Sequence, residues 1–184
     1  LAIGLADHGT DVIICDLESE SKGLANTHKQ IEKTGKKCWS YFLDVTKKSE
    51  IQKMVSDILN DIGSIDILVN NAGILTPTSL EDIDEETWDC HFEVNTKGVL
   101  LMCQSVLPHM REKKFGRIIN IASIAGRQGS PTQGHYASTK SAVITLTRVL
   151  AQEVGEAGIT VNAICPGIIL TEMGKNNLGS ETVS

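Results

Sequence analysis

Ser123, Tyr136 and Lys140 are side chains that together could move a proton. Tyr136 and Lys140 stand four residues apart. A helix puts positions i and i+4 on one face, so the ammonium can sit beside the phenol ring and favour its ionised form. A free phenol near pKa ~10 is a poor base at neutral pH, and a neighbouring cation lowers that barrier. Ser123, thirteen residues upstream of Tyr136 on a separate segment, can donate a hydrogen bond to the same substrate oxygen. The set suits interconversion of an alcohol and a ketone. Alone, a Tyr-x-x-x-Lys spacing is equally an ordinary helix pair, so the elements that carry these residues must decide.

Those elements alternate. Short runs at 11–15, 37–43, 65–69, 116–121 and 160–165, β-branched except for the aromatic 37–43, predict strands. Between them, 21–34, 49–62, 85–110 and 136–154 carry apolar residues at helical spacing. Strand and helix in turn are the pattern of βαβ units, hence of a parallel sheet. The prolines fall where helices or strands should stop, notably Pro77, Pro131 and Pro166, and no repeat, low-complexity tract or linker divides the chain.

The composition bounds the rest. With 184 residues, 41% apolar and 22% charged, residues 1–184 read as a single soluble domain. A net charge of -6 without a basic run argues against nucleic acid as partner. Apolar stretches such as 12–15 and 98–103 are too short to span a bilayer, so no membrane is expected and a cytoplasmic location is the default. The five cysteines are scattered without a Cys-x-x-Cys pair, as reduced, mostly buried thiols would be. The five histidines lack ligand spacing, so no metal site is expected. His135, just before Tyr136, is read first as a solvated residue at the helix start, with a place in the pocket wall as the alternative.

Asp16 ends the first visible strand, at the carboxyl edge of a parallel sheet. In dinucleotide-binding folds an acidic residue about 20 positions beyond a glycine-rich turn accepts the adenosine ribose hydroxyls and repels a 2′-phosphate, so Asp16 points to NAD over NADP. A turn or capping aspartate is the plainer alternative. No glycine-rich turn lies upstream of Asp16, because 1–8 already reads as a helix with Gly9 as its stop. Counting back places that turn before Leu1. The expectation is therefore a longer natural chain, whose first strand would fill a slot between the strands ending at Asp16 and Val69.

Taken in order, Asp44-Val45, Asn70-Asn71-Ala72-Gly73, Asn95, Ser123, Tyr136-Ala-Ser-Thr-Lys140 and Pro166-Gly167 with Thr171 resemble the short-chain dehydrogenase/reductase family, in its single-domain subgroup, over nearly the whole chain. The departure is the absent glycine-rich turn. The resemblance implies a doubly wound α/β fold of the Rossmann type and a nicotinamide cofactor. It implies that Tyr136 is the general acid/base, that Lys140 lowers its pKa and holds the nicotinamide ribose, and that Ser123 orients the substrate oxygen. Asn95 would sit at a local helix distortion holding a water that links Lys140 to solvent. Asp44 would accept the adenine amino group and the Val45 amide would meet a ring nitrogen. Ala72 and Gly73, more than Asn71, would contact the cofactor, with Asn70 stabilising the sheet. Pro166, Gly167, Ile168 and Thr171 would face the nicotinamide carboxamide.

The polar, glycine-bounded 174–180 segment fits a substrate lid. Around the pocket, no cationic cluster accompanies Arg127, which mildly favours a small neutral polyol, diol or ketone. Two helices too apolar to face only water, 85–110 and the one starting at Tyr136, predict a homodimer or homotetramer. A 3-oxoacyl reductase preferring NADPH, and a non-catalytic dinucleotide-binding fragment, remain the competing readings.

Overall fold

The computed structural model describes residues 1–169. Five strands form, β1 Val12–Asp16, β2 Cys38–Phe42, β3 Ile67–Asn70, β4 Gly116–Ile121 and β5 Ile159–Ile164. Each lies close to a run that the sequence marks as a strand. Seven helices accompany them: α1 Ala2–Asp7, α2 Ser21–Glu32, α3 Lys48–Asp61, α4 Glu85–Phe92, α5 Gly98–Lys113, α6 Ala125–Gln128 and α7 Gly134–Val154. Gly9, at φ +100°, stops α1 as expected, in a conformation that a side chain resists.

Every ladder is parallel. β1 pairs with β2 from Val12↔Cys38 to Asp16↔Phe42, and β4 lies between β3 and β5. Among the described residues no ladder joins β1 to β3. Parallel pairing sends the carboxyl ends of each sheet to one edge, so Asp16 and Asp44 emerge together from the first sheet, and Asn71, Ser123 and Pro166 together from the second. Ligands of open α/β sheets bind at such an edge.

The strand period of two places neighbouring side chains in different layers. Val12 and Ile14 pack with Ala6, Leu24 and Ile31 from α1 and α2, whereas Ile13 joins the larger core built on Ile51, Val106, Ile118, Val143 and Val161. That core unites β3, β4 and β5 with α3, α5 and α7. Each fully buried aliphatic side chain there contributes about 1.5–3 kcal/mol, enough to hold the edge residues on a rigid base.

The helix expected at 85–110 forms, running from Glu85 to Lys113 as α4 and α5 joined through a π turn over Glu93–Lys97, at the Asn95 position where the resemblance implies a helix distortion. Two expectations need correction. Pro108 ends nothing and lies inside α5. It is exposed, as is Gln104 one turn earlier, so the carbonyl left without an amide partner faces solvent. Of the five cysteines, all free thiols, only Cys103 is buried as a residue. Cys15 is exposed as a residue, yet its Sγ meets Met54 Sδ at 3.3 Å and burial raises the thiol to about 12.

Candidate active site

α7 presents one buried stripe, His135, Thr139, Lys140, Val143, Thr147, Leu150 and Val154, to the protein interior. Lys140 is the cation in that stripe. It is 4% exposed, and burial pushes its pKa down to about 8. Its Nζ donates to the Ile121 carbonyl at 2.9 Å, at the end of β4, and lies 5.6 Å from the centroid of the Tyr136 ring. Ser123, two residues beyond β4, accepts the Ala125 amide on its Oγ at 3.1 Å and so opens α6. The turn is held to the one after β5, where the Pro166 carbonyl accepts the Ile124 amide at 2.9 Å.

The Ser123 side chain acts on the Tyr136 phenol. Burial raises the phenol above its ordinary pKa and Ser123 opposes that rise. Lys140 Nζ, bonded to the Ile121 carbonyl, is not among the influences that set the phenol in this geometry. A phenol kept protonated at neutral pH is poised to donate from Oη.

Asn95 is fully buried at the middle of the π turn. Its side chain pairs with both backbone groups of Ile74: Oδ1 accepts the amide at 2.8 Å and Nδ2 donates to the carbonyl at 2.9 Å. Nδ2 also reaches Thr139 Oγ1 at 3.2 Å, and Thr139 in turn donates to the Tyr136 carbonyl at 2.7 Å. π turns mark sites where a helix is deformed for function, and this one spends the deformation on tying the Ile74 loop to the Tyr136 helix. Thr139 lies within the Tyr136–Lys140 motif, yet sequence reasoning did not single it out. Its spacing of three from Tyr136 was the available signal.

Gly73 is the floor beneath these groups. A Cβ there would lie 3.1 Å from Asn95 Oδ1 and 3.3 Å from Lys140 Nζ, so glycine leaves room for close approach of a ligand to the backbone. Asn71 and Ala72 beside it are exposed. Asn70 points inward: its Nδ2 donates to Asn120 Oδ1 at 2.8 Å, and Asn120 Nδ2 donates to Thr147 Oγ1 at 2.9 Å. This ladder from β3 through β4 to α7 fits the sheet-stabilising part expected of Asn70 and adds two residues, Asn120 and Thr147, that no spacing rule suggested.

On the other sheet, Asp16 is exposed at the end of β1, with Oδ1 accepting the Leu17 amide at 2.9 Å. Among the described residues no lysine or arginine forms an ion pair with it. Asp44 accepts the amide and hydroxyl of Thr46 on one oxygen, at 2.9 and 2.7 Å. Burial alone would raise its pKa, but these two bonds and Lys47 hold the carboxyl below its usual value. The Val45 side chain packs against Gly98 at the start of α5. Gly167 and Ile168 are exposed beyond β5. Thr171 and the 174–180 segment lie outside the described residues.

The expected residues thus fall into two groups, a proton-transfer cluster in which Asn95 and Lys140 are buried and Ser123 and Tyr136 half-buried, and a set of strand-end groups of which Asp16, Asn71, Ala72, Gly167 and Ile168 are exposed. The strand-end carboxylates and the bare backbone at Gly73 fit a dinucleotide laid across the sheet edge.

The family described as short chain dehydrogenase matches residues 1–181. The chain is 38% identical, over 173 residues, to a 3-oxoacyl-[acyl-carrier-protein] reductase of Staphylococcus epidermidis, covering 94% of this chain and 70% of the relative. It is 40% identical, over 172 residues, to a subunit of (2S)-[(R)-hydroxy(phenyl)methyl]succinyl-CoA dehydrogenase from Thauera aromatica, covering 94% and 68%. Among solved structures, NAD+-bound xylitol dehydrogenase superposes with a TM-score of 0.90 at 30% identity, over 95% of this chain and 67% of that one. The chain belongs to the short-chain dehydrogenase/reductase family. It is an oxidoreductase with a Rossmann-type α/β fold, of a class acting on CH–OH and C=O groups with NAD or NADP. Among the described residues no helix is long and apolar enough to cross a membrane.

Proposed function

We propose that this protein is an NAD-linked dehydrogenase that interconverts a small neutral secondary alcohol, such as a polyol or diol, and its ketone. The observation that carries the reading is Asp16, an exposed carboxylate at the end of β1 with no cation paired to it among the described residues. Such a group accepts ribose hydroxyls and repels a 2′-phosphate. The NAD+-bound xylitol dehydrogenase among the structural neighbours supports the same coenzyme and substrate class.

Within this reading Asp16, Asp44 and the Val45 amide would hold the adenosine half. Ala72 and Gly73, with Asn71 beside them, would line the middle, and Lys140, Pro166, Gly167, Ile168 and Thr171 the nicotinamide half. The coenzyme, when bound, would accept hydride as NAD in oxidation and supply it as NADH in reduction. The chain's own residues manage the proton: Tyr136 Oη gives its proton to the carbonyl oxygen in reduction, and in oxidation takes the hydroxyl proton after releasing its own to solvent, while Ser123 Oγ holds that oxygen in place. Lys140 adds positive charge beside the phenol, and Asn95 fixes the loop that bounds the site. The whole acts as one dinucleotide-binding domain in the cytoplasm.

The same reading includes self-association. A shallow groove of about 530 Å³ runs between the π turn with α5 and α7, past Phe92, Thr96, Leu100, Leu146 and Val149. Leu100 and Val149 are exposed within it, and a second copy across a two-fold axis would cover them as a homodimer or half of a homotetramer.

A second reading, a 3-oxoacyl-[acyl-carrier-protein] reductase using NADPH, is favoured by the name of the Staphylococcus epidermidis relative. Absorbance of the reduced nicotinamide separates the two when the protein is given NAD or NADP with polyols and diols, and NADH or NADPH with an oxoacyl thioester. Turnover of polyols with NAD is the expected result. Preference for NADPH with the thioester would replace the first reading by the second, and binding of either coenzyme without turnover of any substrate would leave a non-catalytic dinucleotide-binding protein.

A further inference from the structure

Two histidines face each other at the junction of the elements that build the site. His91, in the last turn of α4, is 2% exposed, and His135, in the first turn of α7, is 0% exposed. Their ring centroids are 4.1 Å apart and their planes meet at 86°. His135 is therefore neither the solvated residue nor the pocket-wall residue that the sequence suggested. Its partner lies 44 positions away, and no spacing rule connects the two.

The hydrogen bonds of His91 define its state. Nδ1 meets the Thr87 carbonyl at 2.7 Å, and Nε2 meets the Thr76 amide at 3.3 Å. A carbonyl only accepts and an amide N–H only donates, so Nδ1 carries the proton and Nε2 is the acceptor. The ring is neutral and in one tautomer. Burial, together with the neighbouring His135 and against the Thr87 bond, keeps its pKa below the ordinary imidazole value. His135 is more unusual, because neither of its ring nitrogens has a hydrogen-bond partner. What its ring meets is the ring of His91, edge to face, a geometry in which ring hydrogens approach a π face.

Packing alone would be met at less cost by two phenylalanines, since an enclosed polar atom without a partner is unfavourable. The arrangement has a specific outcome, however. The Thr76 amide belongs to the loop that leaves Gly73, and His91 carries that loop to the ring that immediately precedes Tyr136. Two residues further along, the same loop is pinned a second time, where the Thr78 amide donates to the Thr132 carbonyl at 2.8 Å. Thr78 and Gln133 form an isolated parallel bridge there, just ahead of α7.

We propose that His91 and His135 are positioning residues: the pair fixes the Thr76 segment against the first turn of the Tyr136 helix and so sets the opening through which substrate reaches Tyr136. Neither touches the reacting atoms. His91 supplies the directional bond to the loop, and His135 supplies the surface against which the His91 ring is held.

The effect on turnover rests on the oxidoreductase reading, and the effect on the loop does not, so the experiment has both arms. His91→Phe keeps a ring against His135 and removes the acceptor. His91→Gln puts back a carbonyl oxygen near the place of Nε2. Hydrogen exchange followed by NMR is expected to show the Thr76 amide exchanging about tenfold faster in His91→Phe, with protection largely restored in His91→Gln and amides of β4 unchanged in both. In the alcohol assay, KM for substrate is expected to rise about tenfold in His91→Phe with coenzyme affinity within twofold, and to recover in His91→Gln. Unchanged Thr76 protection in a folded His91→Phe protein, or no rescue by glutamine, overturns the proposal. Should His91→Phe not fold, the ¹⁵N spectrum of the wild-type protein decides: His91 protonated on Nδ1 is required, and the Nε2-protonated form refutes the pair. If no alcohol is turned over at all, the proposed function fails and the exchange arm alone judges the histidines.

Discussion

The two ends of the candidate site are built in opposite ways. Around Tyr136, itself half-buried, the supporting polar groups are committed: buried Lys140 to Ile121, buried Asn95 to Ile74 and Thr139, and half-buried Ser123 to the Ala125 amide. Around Asp16 the side chain is exposed, and its single hydrogen bond is to the next residue's amide. Chemistry needs groups held within a fraction of an ångström, and the interior supplies that rigidity. Discrimination between two coenzymes needs one charge in the right place, and a strand end is enough for that. Changes at the first end should therefore disturb stability and rate together, and changes at the second should shift preference and leave stability alone.

The strongest way to break this contrast is Tyr136→Phe. Losing a general acid/base costs about 10²–10⁴-fold in rate, so turnover should fall to that extent while coenzyme affinity, read by fluorescence titration, stays within a few-fold. Retained turnover would remove Tyr136 from the proton path. Next is Asn95→Ala, which strips the partners from both backbone groups of Ile74. Unpaired buried groups cost about 1–3 kcal/mol each, so urea unfolding should give a loss of about 3 kcal/mol, with turnover falling in parallel. A loss under about 0.5 kcal/mol, the usual size for an unconstrained surface position, would make the buried end no more constrained than the exposed one.

Lys140 sharpens the contrast through pH. Its pKa falls from 10.5 to about 8 on burial. Between these values the unfolded chain holds a proton that the folded chain has released, so stability rises as pH increases from about 8 to about 10.5. Lys140→Met should flatten that rise relative to wild type, by a few kcal/mol across the window. Parallel stability curves for the two proteins would mean that the ammonium is not held in a desolvated place. The smallest change is Asp16→Ala, where the ratio of kcat/KM for NAD over NADP should drop about tenfold with stability altered by less than about 0.5 kcal/mol. An unchanged ratio would take coenzyme selection away from the strand end.

Local rules reached far along this chain and stopped at contacts between distant residues. β-branched runs located four of the five described strands and the aromatic run at 37–43 the other, because a strand's period of two depends on adjacent residues. The carboxyl-edge placement of Asp16, Asp44 and Gly73 followed from their positions just after those runs. Ser123, Tyr136 and Lys140 were legible because two of them share a helix turn and the third follows a strand. By contrast, Thr139 pairing with Asn95, Asn120 joining Asn70 to Thr147, and His91 meeting His135 all cross between elements, and the residue types gave no hint of their partners. Pro108 misled for a related reason: its local rule forbids a helix interior, and an exposed face lets the freed carbonyl turn to water. The π turn at Glu93–Lys97 was expected only through family resemblance, since the contact that goes with it, Asn95 to Ile74, spans 21 positions.

The empty space over Gly73 also has a genetic meaning. A methyl group there would press on the Asn95 amide and the Lys140 ammonium at once, so residues 73, 95 and 140 share one small volume. Their substitutions cannot act as independent events: the harm done by a side chain at 73 depends on what stands at 95 and 140, and effects measured singly will fail to add. Variation at this point of the chain must therefore be read as a three-residue haplotype, in which a tolerated change at one position reports on the other two.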